Sequence, residues 1–237
     1  MARAMTVEQL ATRVSAAVGP RLVSLLLYGS TARGAPAPER ADVNTLLICD
    51  GADEALFDAL APVLRDWRRA GHPAPLIFTE QEWRGSGDAF PIEYEDMREH
   101  HRLLAGRDPW AGIRVDRGHV RRQLEHELMG KLIRLRQAYA ALRDDPKQLG
   151  RVVVDSSAGF FTMLRAALRL AGRPAPAAPE DLVGSVAALV GFPAADLAPL
   201  VQHASGGPAL RLEAGDPLVS RYLAAVARTA AYVNGLE

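Results

Sequence analysis

Apolar residues along the first half of the chain change spacing several times, and each change predicts an element. Val7, Leu10, Val14 and Val18 recur at helical intervals, and Thr6 followed by Gln9 reads as a capping box at the start of that helix. Gly19-Pro20 closes it. Leu22 to Tyr28 is a short apolar run stopped by Gly29, which suits a buried strand; Val43 to Cys49 predicts a second, adjacent and antiparallel. Between them, Gly34 to Glu39 is rich in turn formers, including Pro36 and Pro38. Leu56, Phe57, Leu60, Val63, Leu64 and Trp67 describe an amphipathic helix ended by Gly71. Leu76 to Phe78 predicts a third strand and Phe90 to Tyr94 a short fourth. This order is not the regular alternation of a doubly wound sheet.

The spacing becomes wholly helical after Pro109. Val120, Leu124, Leu128, Leu132, Leu135 and Tyr139 predict one long helix, and a second starts at Pro146 with Asp145 as its cap. Arg173 to Pro179 holds three prolines and reads as a linker. Shorter helical patterns follow from Glu180 to Val190, Ala194 to His203 and Pro217 to Val233. The expected architecture is α+β: an N-terminal sheet with flanking helices over residues 1–115, then an all-α helical bundle over residues 116–237.

Composition narrows the class. With 49% hydrophobic and 24% charged residues, the chain matches an ordinary globular protein. Lys plus Arg and Asp plus Glu number 28 each, which argues against wholesale binding to nucleic acid or membrane. Arg117 to Arg173 is the local exception, with twelve basic and five acidic side chains. Without interleaved exposed aromatics it reads as a solvated bundle face, and nucleic-acid binding is not expected. The single cysteine, Cys49, excludes an intramolecular disulfide and reads as a small buried hydrophobe. No uncharged apolar stretch of about 20 residues predicts a membrane span, and Met1 to Leu10 lacks a signal-peptide core, so the expected compartment is the cytoplasm.

The chemistry-bearing segment is Leu26-Leu27-Tyr28-Gly29-Ser30-Thr31-Ala32-Arg33-Gly34, followed by Ala41-Asp42-Val43-Asn44. A strand that ends in Gly-Ser and turns into a short helix offers backbone N–H groups to an anion. Gly29 allows close approach, Ser30 can donate its hydroxyl, and Arg33 reads either as a further phosphate contact or as a solvent-exposed side chain. Asp42 and Asn44 are two apart and project from one face of a strand. Oxygen donors at that spacing suit Mg²⁺ beside a triphosphate.

On these residues the chain resembles the nucleotidyltransferase superfamily of the DNA-polymerase-β type, particularly its small bacterial and aminoglycoside-modifying members. The likeness spans roughly residues 20–115 and includes His101 to Pro109 as a domain-closing segment. It implies a nucleoside triphosphate ligand and Mg²⁺ held by Asp42 with help from Asn44. It further implies transfer of a nucleoside monophosphate to a hydroxyl of a small molecule or protein. It also implies a helical half able to form a homodimer interface.

Family enzymes place three carboxylates around two metal ions. Here Asn44 occupies the second position, and an amide brings an oxygen without charge. The third is expected on the strand at Ala74 to Phe78, which has no acid; Glu80 and Glu82 follow it directly. Glu93, Glu125 and Glu127 are the candidate bases. Their plainer readings are a half-exposed strand position for Glu93 and a solvated helix face for the other two. The expectation divides between an active transferase and a catalytically degenerate homologue that binds nucleotide or protein. His100 and His101, read as neighbours on a helix, diverge too far to grip one ion. His72 and His203 are isolated.

Overall fold

Residues 5–29, 31–32 and 43–236 are described by a computed structural model of the chain. Ser30, Arg33 and Asp42 lie outside the described residues. The chain divides into two compact units, Met1–Val115 and Asp116–Glu237.

In the first unit, α1 (Val7–Val18) begins with the reciprocal capping box: Thr6 accepts from the Gln9 amide while Gln9 accepts from the Thr6 amide. One turn of 3-10 helix, Gly19–Arg21, leads into β1 (Leu22–Tyr28). β2 (Asn44–Cys49) pairs antiparallel to β1 with Tyr28 opposite Asn44. α2 (Glu54–Arg69) is capped by Asp53 and returns the chain to β3 (Leu76–Thr79), parallel to β2. Two short helices follow, α3 (Glu80–Gly85) and α4 (Pro91–Glu99), then β4 (His101–Gly106), antiparallel to β1. The mixed sheet runs β3-β2-β1-β4.

Alternation along β1 and β2 divides the core between two faces. Leu25, Leu47 and Cys49 meet α1 and α2 through Leu10, Val14, Leu56, Leu60 and Trp67. Leu26, Leu46 and Ile48 meet Trp83, Tyr94 and Met97 on the other face. Trp83 stacks on Tyr94 with ring centroids 4.2 Å apart, and its indole N–H donates to the Pro109 carbonyl at 3.1 Å.

The expected fourth strand at Phe90 to Tyr94 is instead the start of α4. Pro91 supplies the fixed φ of a first helical position, and the Tyr94 amide donates to the Phe90 carbonyl at 3.0 Å. Five residues are too few to separate a strand from a buried helical turn by period. The fourth strand is His101–Gly106, pinned by Gly106. Gly106 has φ +81°, and a Cβ there would stand 2.3 Å from the Val23 carbonyl oxygen.

The second unit is all helical: α5 (Arg117–Ala141), α6 (Pro146–Leu170), α7 (Pro179–Val190), α8 (Ala198–Ala204) and α9 (Pro217–Asn234). A 3-10 turn, Ala194–Leu197, precedes α8. Asp116, Asp145 and Asp216 cap α5, α6 and α9 with their carboxylates. α5 lies against α6 and α9, burying Leu124, Leu128, Leu132 and Leu135. The solvated reading of the basic segment fits Arg122, Arg134 and Arg136 but not Lys131 and Arg165, which are buried. Among the described residues no helix is long and apolar enough to cross a membrane.

Candidate functional site

Antiparallel pairing places directly opposed residues on the same face of a sheet. Tyr28 opposes Asn44 on one side and His101 on the other. The three therefore form a row across β4, β1 and β2, on the face that carries Leu26, Leu46 and the Trp83–Tyr94 stack.

Gly29 follows Tyr28 at φ +82°, where a side chain is strained, and turns the chain sharply; the Ala32 amide donates to its carbonyl at 3.1 Å. A Cβ on Gly29 would lie 3.3 Å from Nδ2 of Asn44. The end of β1 and the start of β2 thus share one corner, with a polar amide against bare backbone. An anion approaching there meets no side chain at Gly29.

Glu93 lies in the first turn of α4. It is half-buried, and its charge together with burial raises the Tyr28 hydroxyl above the ordinary tyrosine range, burial being the larger cause. On the other side of Tyr28, His101 is held at both ring nitrogens. Trp110 Nε1 lies 3.2 Å from His101 Nε2, and His101 Nδ1 lies 2.9 Å from the Met97 carbonyl. Indole nitrogen only donates and a carbonyl only accepts, so this imidazole is the neutral Nδ1–H form. Trp110 is fixed in turn by an edge contact to Trp83 at 5.0 Å and by the Arg98 guanidinium 5.7 Å from its ring.

No protein-family model and no curated protein matches this chain. The site's meaning rests on its own chemistry.

Several sequence candidates have other occupations. Glu80 holds Arg84 at 2.8 Å and Arg107 at 2.7 Å, which keep its carboxyl below the ordinary range, Arg84 first. Glu82 completes a capping box with Thr79. Leu76 and Phe78 occupy the β3 positions that pair with Leu46 and Ile48 on the site face. Glu125 pairs with Arg121 at 3.0 Å on α5, where Glu127 also lies.

Glu93 is on a helix, not on the strand first expected, and His100 and His101 are not helical neighbours. His100 ends α4 and His101 begins β4. His72 stacks beside Trp67 with centroids 4.0 Å apart, and His203 contacts the Pro208 carbonyl at 3.3 Å. Cys49 is fully buried, and that burial pushes its thiol up to about 11.

Mg²⁺ takes oxygen ligands and prefers carboxylates and phosphates. Asn44 is the described polar side chain against Gly29, and among the described residues no group of three or more His, Cys, Asp or Glu side chains could hold a metal ion. His101 and Tyr28 were missed as a pair from sequence because their opposition depends on β4. The available signal was the short apolar run Leu103-Leu104-Ala105 ahead of Gly106.

Proposed function

We propose that the N-terminal unit is a nucleotidyltransferase-type domain that binds a nucleoside triphosphate at the Gly29 corner. The supporting observation is the approach of Asn44 to Gly29 at the end of β1, with Tyr28 opposite Asn44 and the charge of Glu93 acting on the Tyr28 hydroxyl. Backbone N–H groups after Gly29, with Ser30 and Arg33, would take the phosphates. When bound, Mg²⁺ neutralises triphosphate charge; Asp42 and Asn44 are the residues that would hold it. In the transfer reading, an acceptor hydroxyl oxygen attacks the α-phosphorus and the bond to the β-phosphate bridging oxygen breaks, releasing pyrophosphate. Glu93, whose charge acts on the Tyr28 hydroxyl, would accept the hydroxyl proton.

A second reading keeps the binding and loses the transfer. Asn44 is neutral, the β3 site-face positions are Leu76 and Phe78, and Glu80 and Glu82 are engaged elsewhere. This favours a degenerate transferase that senses nucleotide or engages a protein partner.

Calorimetric titration with each nucleoside triphosphate, with and without Mg²⁺, tests the shared premise. Binding that Asp42→Ala and Asn44→Ala both weaken supports it; absence of heat with every triphosphate sinks it. Pyrophosphate release in the presence of candidate hydroxyl acceptors then separates transfer from sensing.

A further inference from the structure

Residues 107–115, which follow β4 and complete the first unit, are fastened to that unit at several points. The Arg107 amide donates to the Val23 carbonyl at 2.9 Å, the Trp83 indole to the Pro109 carbonyl at 3.1 Å, and Arg98 Nη2 to the Ile113 carbonyl at 3.0 Å. Amide, indole and guanidinium donors keep their protons from neutral to mildly acidic solution. Arg107 also holds Glu80 at 2.7 Å, and the arginines on that carboxyl keep it charged below the ordinary range.

The fastening of Trp110 to His101 is of another kind, because imidazole is the side chain that takes up a proton in that interval. Nδ1–H already donates to the Met97 carbonyl, so an added proton goes to Nε2, the atom that accepts from the Trp110 indole. The lone pair is then gone and N–H faces N–H. The edge of an aromatic ring system is also its positive rim, so the indole edge repels an imidazolium as well as losing its acceptor. His101 and Trp110 are both half-buried, which gives water a route to each.

We propose that His101 is a proton-operated latch on Trp110: when Nε2 takes a proton from water, the indole leaves His101 while the rest of segment 107–115 stays fastened. Loss of that proton restores the hydrogen bond. Trp110 stands edge-on to Trp83 at 5.0 Å and to Tyr94 at 6.0 Å, so its release uncovers one side of their stack. The latch needs no nucleotide and operates whether or not the Gly29 corner binds one.

The charged and titratable groups around the pair come from every element packed on it. Tyr28 of β1 stands opposite His101 and feels the charge of Glu93 from α4. Arg98 of α4 lies 5.7 Å from the indole ring and pairs with Glu95 at 3.2 Å. Asp108 accepts from the Trp110 backbone amide at 2.9 Å. Beside His101 in the chain, His100 lies 3.8 Å from Glu99, and Arg102 pairs with Glu8 of α1 at 3.2 Å. Arg98 already occupies the neighbourhood of the indole ring as a cation, so an imidazolium gains little by moving over it.

The test is a nuclear magnetic resonance titration of the full chain from about pH 8 to about pH 5. The His101 ring signals are assigned by their loss in His101→Gln, and the Trp110 indole N–H signal by its loss in Trp110→Phe. The indole proton should shift upfield as its acceptor is lost, with the same midpoint as the His101 ring signals, while the Trp83 indole proton holds its position. In His101→Gln, whose side-chain oxygen can accept from the indole without titrating, the Trp110 signal should stay in place over the same range. Three results would each overturn the latch: a stationary Trp110 signal while His101 titrates, an equal shift in His101→Gln, or a His101 that takes up no proton before the protein unfolds.

Discussion

Asn44 sits so close to Gly29 that its amide nitrogen would be 3.3 Å from a methyl group placed there. Any enlargement of Gly29 both strains a backbone at φ +82° and pushes on Asn44. Gly29→Ala should therefore cost about 1–2 kcal/mol of stability in urea denaturation. An unchanged midpoint would show that the corner is slack.

Substituting Asn44→Asp adds a carboxylate at the start of β2. On the nucleotide-binding reading it should tighten Mg²⁺-dependent triphosphate binding by about tenfold, or ~1.4 kcal/mol. Calorimetry reads this directly. Equal affinity of the two proteins would remove Asn44 from the metal site.

The tautomer of His101 can be observed. Long-range ¹⁵N–¹H spectra should show the proton on Nδ1, with Nε2 bare and accepting from Trp110. Trp110→Phe should lose about 1 kcal/mol through that hydrogen bond alone, with more from lost packing. A proton found on Nε2 would contradict the arrangement.

Gly106 admits no side chain. A Cβ 2.3 Å from the Val23 carbonyl oxygen requires β4 to move away from β1. Gly106→Ala should destabilise the first unit by about 3 kcal/mol. Thermal melting would check this, and a loss well under 1 kcal/mol would show that the strands part easily.

Glu80 links stability to pH. Its carboxyl lies below the ordinary value of 4.5 because Arg84 and Arg107 favour the charged form. A depressed folded-state value adds stability above the ordinary value and loses it as pH falls through the lower one. The deficit of Glu80→Gln relative to the parent should thus be present at pH 7 and shrink below 4.5, and salt should reduce it. A deficit independent of pH would mean that Glu80 acts through packing.

The parts of the fold that the residues announced are those with strong local punctuation. Leu22 to Tyr28 ends at Gly29, Pro146 follows the capping Asp145, and Thr6 pairs with Gln9, so each element carries its own boundary. Phe90 to Tyr94 carried a weaker mark: Pro91 stands at the first helical position without a capping side chain before it, and the buried side of the helix extends on to Met97, beyond the short window. Missing that helix also hid β4, and with it the opposition of Tyr28 and His101. For the candidate site, Gly29 and Asn44 were legible because loop and strand chemistry is local. The engagement of Glu80 by Arg107 was not, since 27 residues separate them.

A row laid across three strands depends on the ladder hydrogen bonds in a way that a loop-borne site does not. Sliding β4 by one residue would turn His101 to the opposite face and bring Arg102 in its place, a cation where a neutral imidazole now stands. The same slip in β2 would trade Asn44 for Thr45. Strand register in this domain is therefore a chemical variable as well as a mechanical one. Pairing irregularities fall between Leu22 and Ser24 against β2 and between Leu25 and Leu26 against β4, where a bulge would oppose such a slip.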